Sequence, residues 1–342
     1  MKRVADPVSE STTTPLVVVC GSIHLDTIVQ VDQYPVPGEP AITEAGQKAL
    51  GGKGANQAVA CTLAGARTRL AATIGEDSAA DTLLAELTSV GVDTQSVQTS
   101  WDAPTGSSFI ATDRDGGPLI FVTSGANRLT DPMDHVDAIA EADILLAQGE
   151  LPPTATQALA SLASMHQTRF ILNLAPVTVV TPGIIDSADP LVVNHEEAWR
   201  VIRELGIDTG VSRTDLESML RALLSYCPSI VLSLSERGSV YATNELHDGD
   251  VQMWYQPAVP LPADEVVDTT GAGDAFAGVI AAELAHGADL GQAVAMGSIA
   301  GAEAVKSLSA TASYADAAQL RELAAAGVLP KRMPLHQWDA GH

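Results

Sequence analysis

Apolar residues in this chain gather in short runs, separated by longer stretches with helical spacing. Residues 16–20 form a continuous apolar run closed by Gly21, the pattern of a strand buried on both faces. Residues 27–31 read as a second strand, a turn-rich segment follows, and 41–50 alternates loosely, as partly exposed strands do. Residues 51–56 break the pattern, and the Ala-rich 57–65 is helical. Strands are then predicted at 69–74, 144–148, 170–174, 191–194 and 229–233. Helices are predicted at 79–90, 154–164, 196–205 and 275–285. This alternation predicts an α/β fold of three layers, α/β/α, with a mostly parallel central sheet. Segments 106–112 and 119–123, joined by Asp115-Gly-Gly-Pro118, predict a hairpin. Together, residues 27–50 and 105–124 suggest a small β-sheet lid. No repeat or linker divides the 342 residues, so a single domain is expected, its core at about 16–330. Residues 1–15 and 331–342 are expected to be loose ends.

Charge narrows the function. The formal net charge of -24 excludes nucleic-acid binding, which needs a basic footprint. An anionic nucleotide would have to be met locally, by backbone N–H groups, a metal ion and a few cations. No apolar run is long enough to span a bilayer, and the polar 1–15 lacks the apolar core of a signal peptide, so no membrane partner and a cytoplasmic protein are expected. Cys20, Cys61 and Cys227 are scattered, with no Cys-x-x-Cys pair, which supports neither a disulfide framework nor a structural zinc site.

Two glycine-rich turns carry the candidate chemistry. Gly271-Ala-Gly273 resembles the start of a dinucleotide-binding loop, but Phe276 stands at the third glycine and the run lies late in the chain. Residues 46–53 resemble a phosphate-binding P-loop, but the spacing is off by one and Gly54 replaces the metal-binding Ser or Thr. In Asp268-Thr-Thr-Gly-Ala-Gly-Asp274, glycines precede a predicted helix, so backbone N–H groups and the helix dipole converge on one point. Taken alone, the run has two readings: an anion hole with Asp274 as a general base, or a tight turn with an Asp at the helix start. Gly51-Gly-Lys-Gly-Ala-Asn56 adds a second glycine turn before a helix, with Lys53 and Asn56 as polar handles. Asp26, past the first strand, offers two acceptors suited to adjacent sugar hydroxyls.

These runs, with Gly21-Ser-Ile-His-Leu-Asp26 and Pro37-Gly-Glu39, resemble the PfkB-type carbohydrate kinase family, and within it the ribose kinases. The resemblance covers roughly residues 16–325. It implies ATP-dependent, Mg²⁺-requiring, K⁺-activated phosphorylation of D-ribose at its primary 5-hydroxyl. It implies Asp274 as the base, with the N–H groups of Gly271, Ala272 and Gly273 as the anion hole. His24, Asp26, Gly52, Lys53, Gly54, Asn56 and Glu150 match sugar-contacting positions. Asn194, Ser233, Ser235, Arg237, Gly238, Gly273 and Ser298 match the ATP side, and Glu197 of the Asn-x-x-Glu motif acts indirectly on Mg²⁺. Asp268, Thr270, Ala304, Ser307, Ser309 and Ser313 match a monovalent-cation site. The family also implies a homodimer through the lid sheet.

Three departures stand out. His24 replaces an Asn, which changes the donors and acceptors offered to the sugar. Leu174-Ala-Pro176 replaces a Pro-Ala-Pro run. Ser309 stands where a Gly is common; if that position needs a positive φ, the cation loop is altered. The alternatives are a same-fold kinase for another furanose or a nucleoside (deoxyribose, fructose, a ribonucleoside) and, more remotely, a non-catalytic sugar-binding regulator.

Overall fold

The computed structural model describes residues 14–36, 38–43, 46–113, 118–247 and 250–338. Pro37, most of the hairpin connector at 115–118 and the extreme ends lie outside the described residues.

The first half of the chain comprises β1 (Leu16–Cys20), β2 (His24–Gln30), β3 (Gln47–Gly51), α1 (Lys53–Leu63), β4 (Arg67–Gly75), α2 (Ser78–Val90), β5 (Val97–Ser100), β6 (Gly106–Thr112), β7 (Pro118–Thr123), α3 (Val136–Glu141), β8 (Ile144–Gln148) and α4 (Pro153–His166). The second half comprises β9 (Arg169–Asn173), α5 (Pro182–Asp186), β10 (Ala188–Asn194), α6 (His195–Glu204), α7 (Leu216–Leu224), β11 (Ser229–Ser233), β12 (Ser239–His247), β13 (Asp250–Gln256), α8 (Ala272–Ala285), α9 (Leu290–Ala304), α10 (Ala317–Ala326) and β14 (Met333–Pro334).

The large sheet has the order β14-β13-β12-β11-β10-β9-β8-β1-β4-β5. Strands β5 to β11 in that order are parallel, and β12 to β14 add an antiparallel edge. The apolar run of β1 explains the three layers. Because side chains alternate across a strand, Leu16, Val18 and Cys20 enter one core and Val17 and Val19 the other. The first core is covered by α3 to α7, and the second by α1, α2, α8, α9 and α10. From β1 the chain steps outward to β4 and β5, then returns to β8 on the opposite side of β1. The order therefore reverses between β1 and β8, and loops at the carboxyl ends of those strands splay apart to leave a crevice.

The small sheet has the order β3-β2-β6-β7 and is mixed: β2 and β6 run parallel, and both outer pairs are antiparallel. β2 begins at His24 rather than near 27, so His24 and Asp26 sit two apart on one strand instead of in a loop. They face Gly51 and Ala49 on β3, and Gly106 and Ser108 on β6.

The C-terminal segment is a correction to the sequence reading. Residues 331–338 are not a loose end: Met333 and Pro334 pair with β13, and Leu335 is buried. Trp338 stacks on Tyr255 at 4.4 Å between ring centroids. The Arg332 guanidinium lies 4.7 Å from the Trp254 ring centroid and donates to Tyr241 Oη at 2.7 Å. A two-residue strand has no periodicity to read; its partners are supplied by the exposed edge of β13. Removal of residues 331–342 is expected to lower unfolding stability by about 3 kcal/mol, from the lost stack, cation–π contact and burial of Leu335. Urea melts of the full and shortened chains would measure it, and equal midpoints would contradict it.

Candidate active site

The crevice between β1 and β8 is filled by the start of α1 on one side and the start of α8 on the other. Small residues bring these two helices together. A Cβ built on Gly278 would lie 2.6 Å from Ala60 Cβ, and the Cys61 thiol donates to the Gly278 carbonyl at 3.1 Å. That approach places Asn56 and Gln57 against Asp274, which is 4 % exposed in the first turn of α8. Asn56 Nδ2 donates to Asp274 Oδ2 at 3.0 Å and Gln57 Nε2 donates to Oδ1 at 2.9 Å. Lys53 Nζ stands 3.6 Å from the same Oδ1. Two amides and an ammonium thus compensate a carboxylate that could not be buried alone.

The start of α1 has no side-chain cap of its own. Glu150, following β8, supplies one across the crevice: its Oε2 accepts from Lys53 N–H at 2.9 Å and from the Ser22 hydroxyl. The carboxylate also matches the positive end of the helix dipole. Gly54 is required here, because a Cβ would lie 2.5 Å from the Gly21 and Ser22 backbone. Gly51 is required by Asp26, whose Oδ2 would lie 2.0 Å from its Cβ.

Asp26 is buried and accepts from the Ser108 hydroxyl at 2.6 Å. Burial pushes its carboxyl above the usual range; the Ser108 bond and the nearby His24 oppose this, and the Glu150 and Asp274 charges add to it. His24 is also buried, packed over Gly106. Asn127 fixes the strand there, accepting from Ile23 N–H and donating to the Ile23 carbonyl, both at 2.9 Å. Asp274 raises the Lys53 pKa against the effect of burial, with Glu150 and Glu197 adding to it. His24, Asp26, Lys53, Asn56, Glu150 and Asp274 therefore form one cluster.

At the start of α8, Gly271 adopts φ 80°. A Cβ there would lie 2.6 Å from Ala310 Cβ. Tyr314 Oη donates to the Gly271 carbonyl at 2.7 Å. Ala272 N–H turns back to the Thr269 carbonyl at 3.3 Å, whereas the N–H groups of Gly271 and Gly273 have no acceptor among the described residues. Behind this turn, Asp268 accepts from Thr270 N–H at 2.9 Å and Ser309 N–H at 3.2 Å, and Ser313 Oγ donates to the Ala304 carbonyl at 2.7 Å. Ser309 has φ 82°. The serine thus takes the left-handed conformation a glycine would supply, and the loop closes without one, at a cost in strain of roughly 1–3 kcal/mol.

The ATP-side residues are more dispersed. Asn194 and Ser233 are register partners at the carboxyl ends of β10 and β11, on the same sheet edge as the crevice. Asn194 and Glu197 form a reciprocal capping box on α6, each accepting the other's backbone N–H at 2.8 Å, so the Asn-x-x-Glu pattern has a helix-starting role whatever else it does. Glu197 still feels Lys53. Ser235 and Gly238 both have positive φ and shape a tight turn whose Arg237 carbonyl accepts from Tyr255 Oη at 2.7 Å. Ser298 does not point away from its helix: its hydroxyl donates to the Val294 carbonyl one turn earlier at 2.8 Å.

A pattern shared by pfkB family carbohydrate kinases matches residues 14–317, nearly the whole described chain. The chain belongs to that family. Similarity extends to individual ribokinases. The Staphylococcus aureus ribokinase is 32% identical over 309 residues, covering 88% of this chain and 96% of its own. A bifunctional ribokinase/ribose-5-phosphate isomerase A from Fructilactobacillus sanfranciscensis is 33% identical over 276 residues, covering 78% of this chain, which spans only 48% of that longer protein. The structure of Arabidopsis thaliana ribokinase, complexed with ribose and ATP, superposes with a TM-score of 0.78 at 26% identity, covering 91% of this chain and 99% of that one.

Sequence reasoning did not single out Ser22, Gln57, Ser108, Gln148, Asn173 or Tyr314. For two of them a signal existed: Gln148 and Asn173 are polar residues closing apolar strands, where a ligand crevice of an open α/β sheet forms.

The raised Asp26 pKa makes a stability prediction. Below the ordinary Asp value of about 3.9 the carboxyl is protonated in folded and unfolded chains, so burial costs nothing there. As pH rises through that value toward the folded one, the unfolded chain ionises first and the fold loses stability. Asp26→Asn should therefore raise Tm at neutral pH, with the gain vanishing in acid. Thermal melts across that window would check it, and a gain independent of pH would refute it.

Proposed function

We propose that this kinase transfers the γ-phosphoryl group of ATP to the primary 5-hydroxyl of D-ribose, giving ADP and D-ribose 5-phosphate. The observation that carries this reading is the placement of Asp274. A buried carboxylate, hydrogen-bonded by Asn56 and Gln57 and facing Lys53, stands next to unbonded N–H groups at the start of α8. Asp274 takes the hydroxyl proton as the sugar oxygen attacks phosphorus, and the N–H groups of Gly271 and Gly273 stabilise the charge gained on the phosphoryl oxygens. Ala272, whose N–H is turned to Thr269, contributes backbone conformation. The kinship with ribokinases supports ribose as the acceptor.

Asn56 Oδ1 is buried with no donor among the described residues, an acceptor suited to a sugar hydroxyl. Asp26, His24, Lys53, Glu150 and the backbone at Gly52 and Gly54 would complete the sugar pocket. Asn194, Ser233, Ser235, Arg237 and Gly238 would line the nucleotide side, with Ser298 on its adenine end. The described residues hold no cluster of three metal-binding side chains; Mg²⁺ would come with the nucleotide, with Glu197 helping to hold it, and would supply neutralisation of phosphate charge. The oxygens of Asp268, Thr270, Ala304, Ser307, Ser309 and Ser313 are hard donors that suit K⁺, and the retained turn at Ser309 supports such a site.

The small sheet of β2, β3, β6 and β7 would act as the lid, closing over the sugar and excluding water, within one domain. Its edge also favours a homodimer. β7 is an edge strand, paired with β6 on one side only, and exposes Leu119, Ile120, Phe121 and Val122, beside exposed Phe109. Such an edge invites pairing with a second copy. No helix among the described residues is long and apolar enough to cross a membrane, and we place the enzyme in the cytoplasm, where ATP is supplied.

ADP release measured over a panel of pentoses, hexoses and nucleosides, with and without K⁺, tests the reading. Ribose should give the highest kcat/KM, with activity rising on K⁺ addition; a nucleoside or fructose preference would replace ribose. Asp274→Asn should lower kcat by about 10²- to 10⁴-fold while ATP and ribose still bind, and a near-normal kcat would end the base assignment. Replacing Ile120 and Phe121 by Asp should convert a dimer to a monomer in light scattering; a monomeric wild type would rule the dimer out.

A further inference from the structure

Behind Asp274 lies a chain of three buried side-chain amides, of which the phosphoryl-transfer reading uses only Gln57. Gln57 is fully buried, Gln148 is 1 % exposed and Asn173 is 7 % exposed. They come from α1 and from the carboxyl ends of β8 and β9, and burying three amides is costly unless each is hydrogen-bonded. The direction of every bond in the chain is fixed by one backbone group. The Val192 carbonyl can only accept, so Asn173 turns its Nδ2 toward it at 3.1 Å. That leaves Asn173 Oδ1 facing Gln57, where it accepts from Nε2 at 2.9 Å. Gln57 Oε1 then faces away and accepts from Gln148 Nε2 at 2.8 Å. The Nε2 that serves Asn173 also donates to Asp274 Oδ1. Gly21 is kept small by the same array, since a Cβ there would lie 2.0 Å from Gln148 Oε1.

We infer that Gln57, oriented by Asn173 and Gln148, is a positioning residue that always presents a donor to Asp274 and so holds the base ionised and correctly aimed. This rests on Asp274 being the base. A flipped glutamine would present its carbonyl oxygen to the carboxylate oxygen, and the two acceptors would repel. The relay opposes that orientation at Asn173, because flipping Gln57 would set its oxygen against Asn173 Oδ1; Gln148, whose own Oε1 has no partner among the described residues, donates to the Gln57 acceptor in the present arrangement. The other groups facing Asp274 are Lys53 and Asn56 from α1, Asp26 from β2 and Tyr314 from the loop after α9. The Asp274 carboxylate thus meets one ammonium and two amide donors, with the Asp26 carboxyl nearby.

The test is the pH profile of kcat at saturating ATP and sugar, whose acid limb reports the base in the bound complex. Gln57→Met removes the donor without adding charge. It should move the acid limb up by about one pH unit and lower kcat about tenfold at neutral pH, with KM changed less than about threefold. Gln57→Glu, nearly isosteric, should move the limb further, because a second carboxylate then shares the site. Gln148→Met, which touches Gln57 but not Asp274, should move it in the same direction by less. Combined with Gln57→Met it should add nothing, since it acts only through Gln57. If Gln57→Met does not fold, the other two single variants carry the same readout. An acid limb that stays in place in these variants, or additive effects in the double variant, would overturn the relay. Asp274→Asn separates the two proposals: turnover retained there refutes the base itself, whereas a dead Asp274→Asn with an unmoved limb at Gln57 refutes only the relay.

Discussion

A single buried carboxylate governs the layout of this protein. A carboxyl group such as that of Asp274, with so little access to water, is tolerable only if donors surround it, and those donors must arrive from elements distant in sequence. Asn56 and Gln57 lie 218 and 217 residues away, and both reach Asp274 from α1. The close packing of α1 on α8 through Gly278, the cap on α1 from Glu150 and the glycines at 51–54 all serve this meeting. Each would be an odd local choice; together they bring two helix starts to one point.

The electrostatics of the crevice follow from the same constraint. In a chain with a net charge of -24, Lys53 is held among three carboxylates, those of Asp274, Glu150 and Glu197. The general excess of acid therefore does not decide what the site attracts. One ammonium and the unbonded N–H groups of Gly271 and Gly273 provide a local positive field at the position where phosphoryl charge would develop. Asp26 shows the opposite side of this arrangement. It is buried against its own preference, and its Ser108 partner recovers only part of that cost. Such a residue destabilises the fold at neutral pH.

Much of the fold was legible because its strands are short apolar runs and its outer helices are amphipathic. β1, β8 and β11 were readable almost to the residue. The helix α9 was not, since it is apolar and small on nearly all sides and so shows no polar face. β12 and β13 were missed because an edge hairpin with mixed exposure lacks a clean alternation. The two glycine motifs were legible because glycine is used where backbone must come close. The Asn-x-x-Glu pair was legible too, although its immediate geometry is a helix capping box. Ser298 carried little signal, and its hydroxyl is satisfied within its own helix.

The sequence by itself determined the layered architecture, the family and the two glycine turns, because these rest on local periodicity and on backbone conformations that few residues can adopt. It marked Ser309 as a doubtful loop position, and only the structure decided that the serine accepts a φ of 82° and keeps the turn. The tertiary structure alone decided which side chains share the crevice. Hydrogen bonds among Gln57, Gln148, Asn173 and Asp274 join α1, β8, β9 and α8, and no pattern along the chain encodes a contact between residues that far apart. It also decided that residues 333–338 belong to the fold, since an edge strand is defined by its neighbour and not by its own two residues.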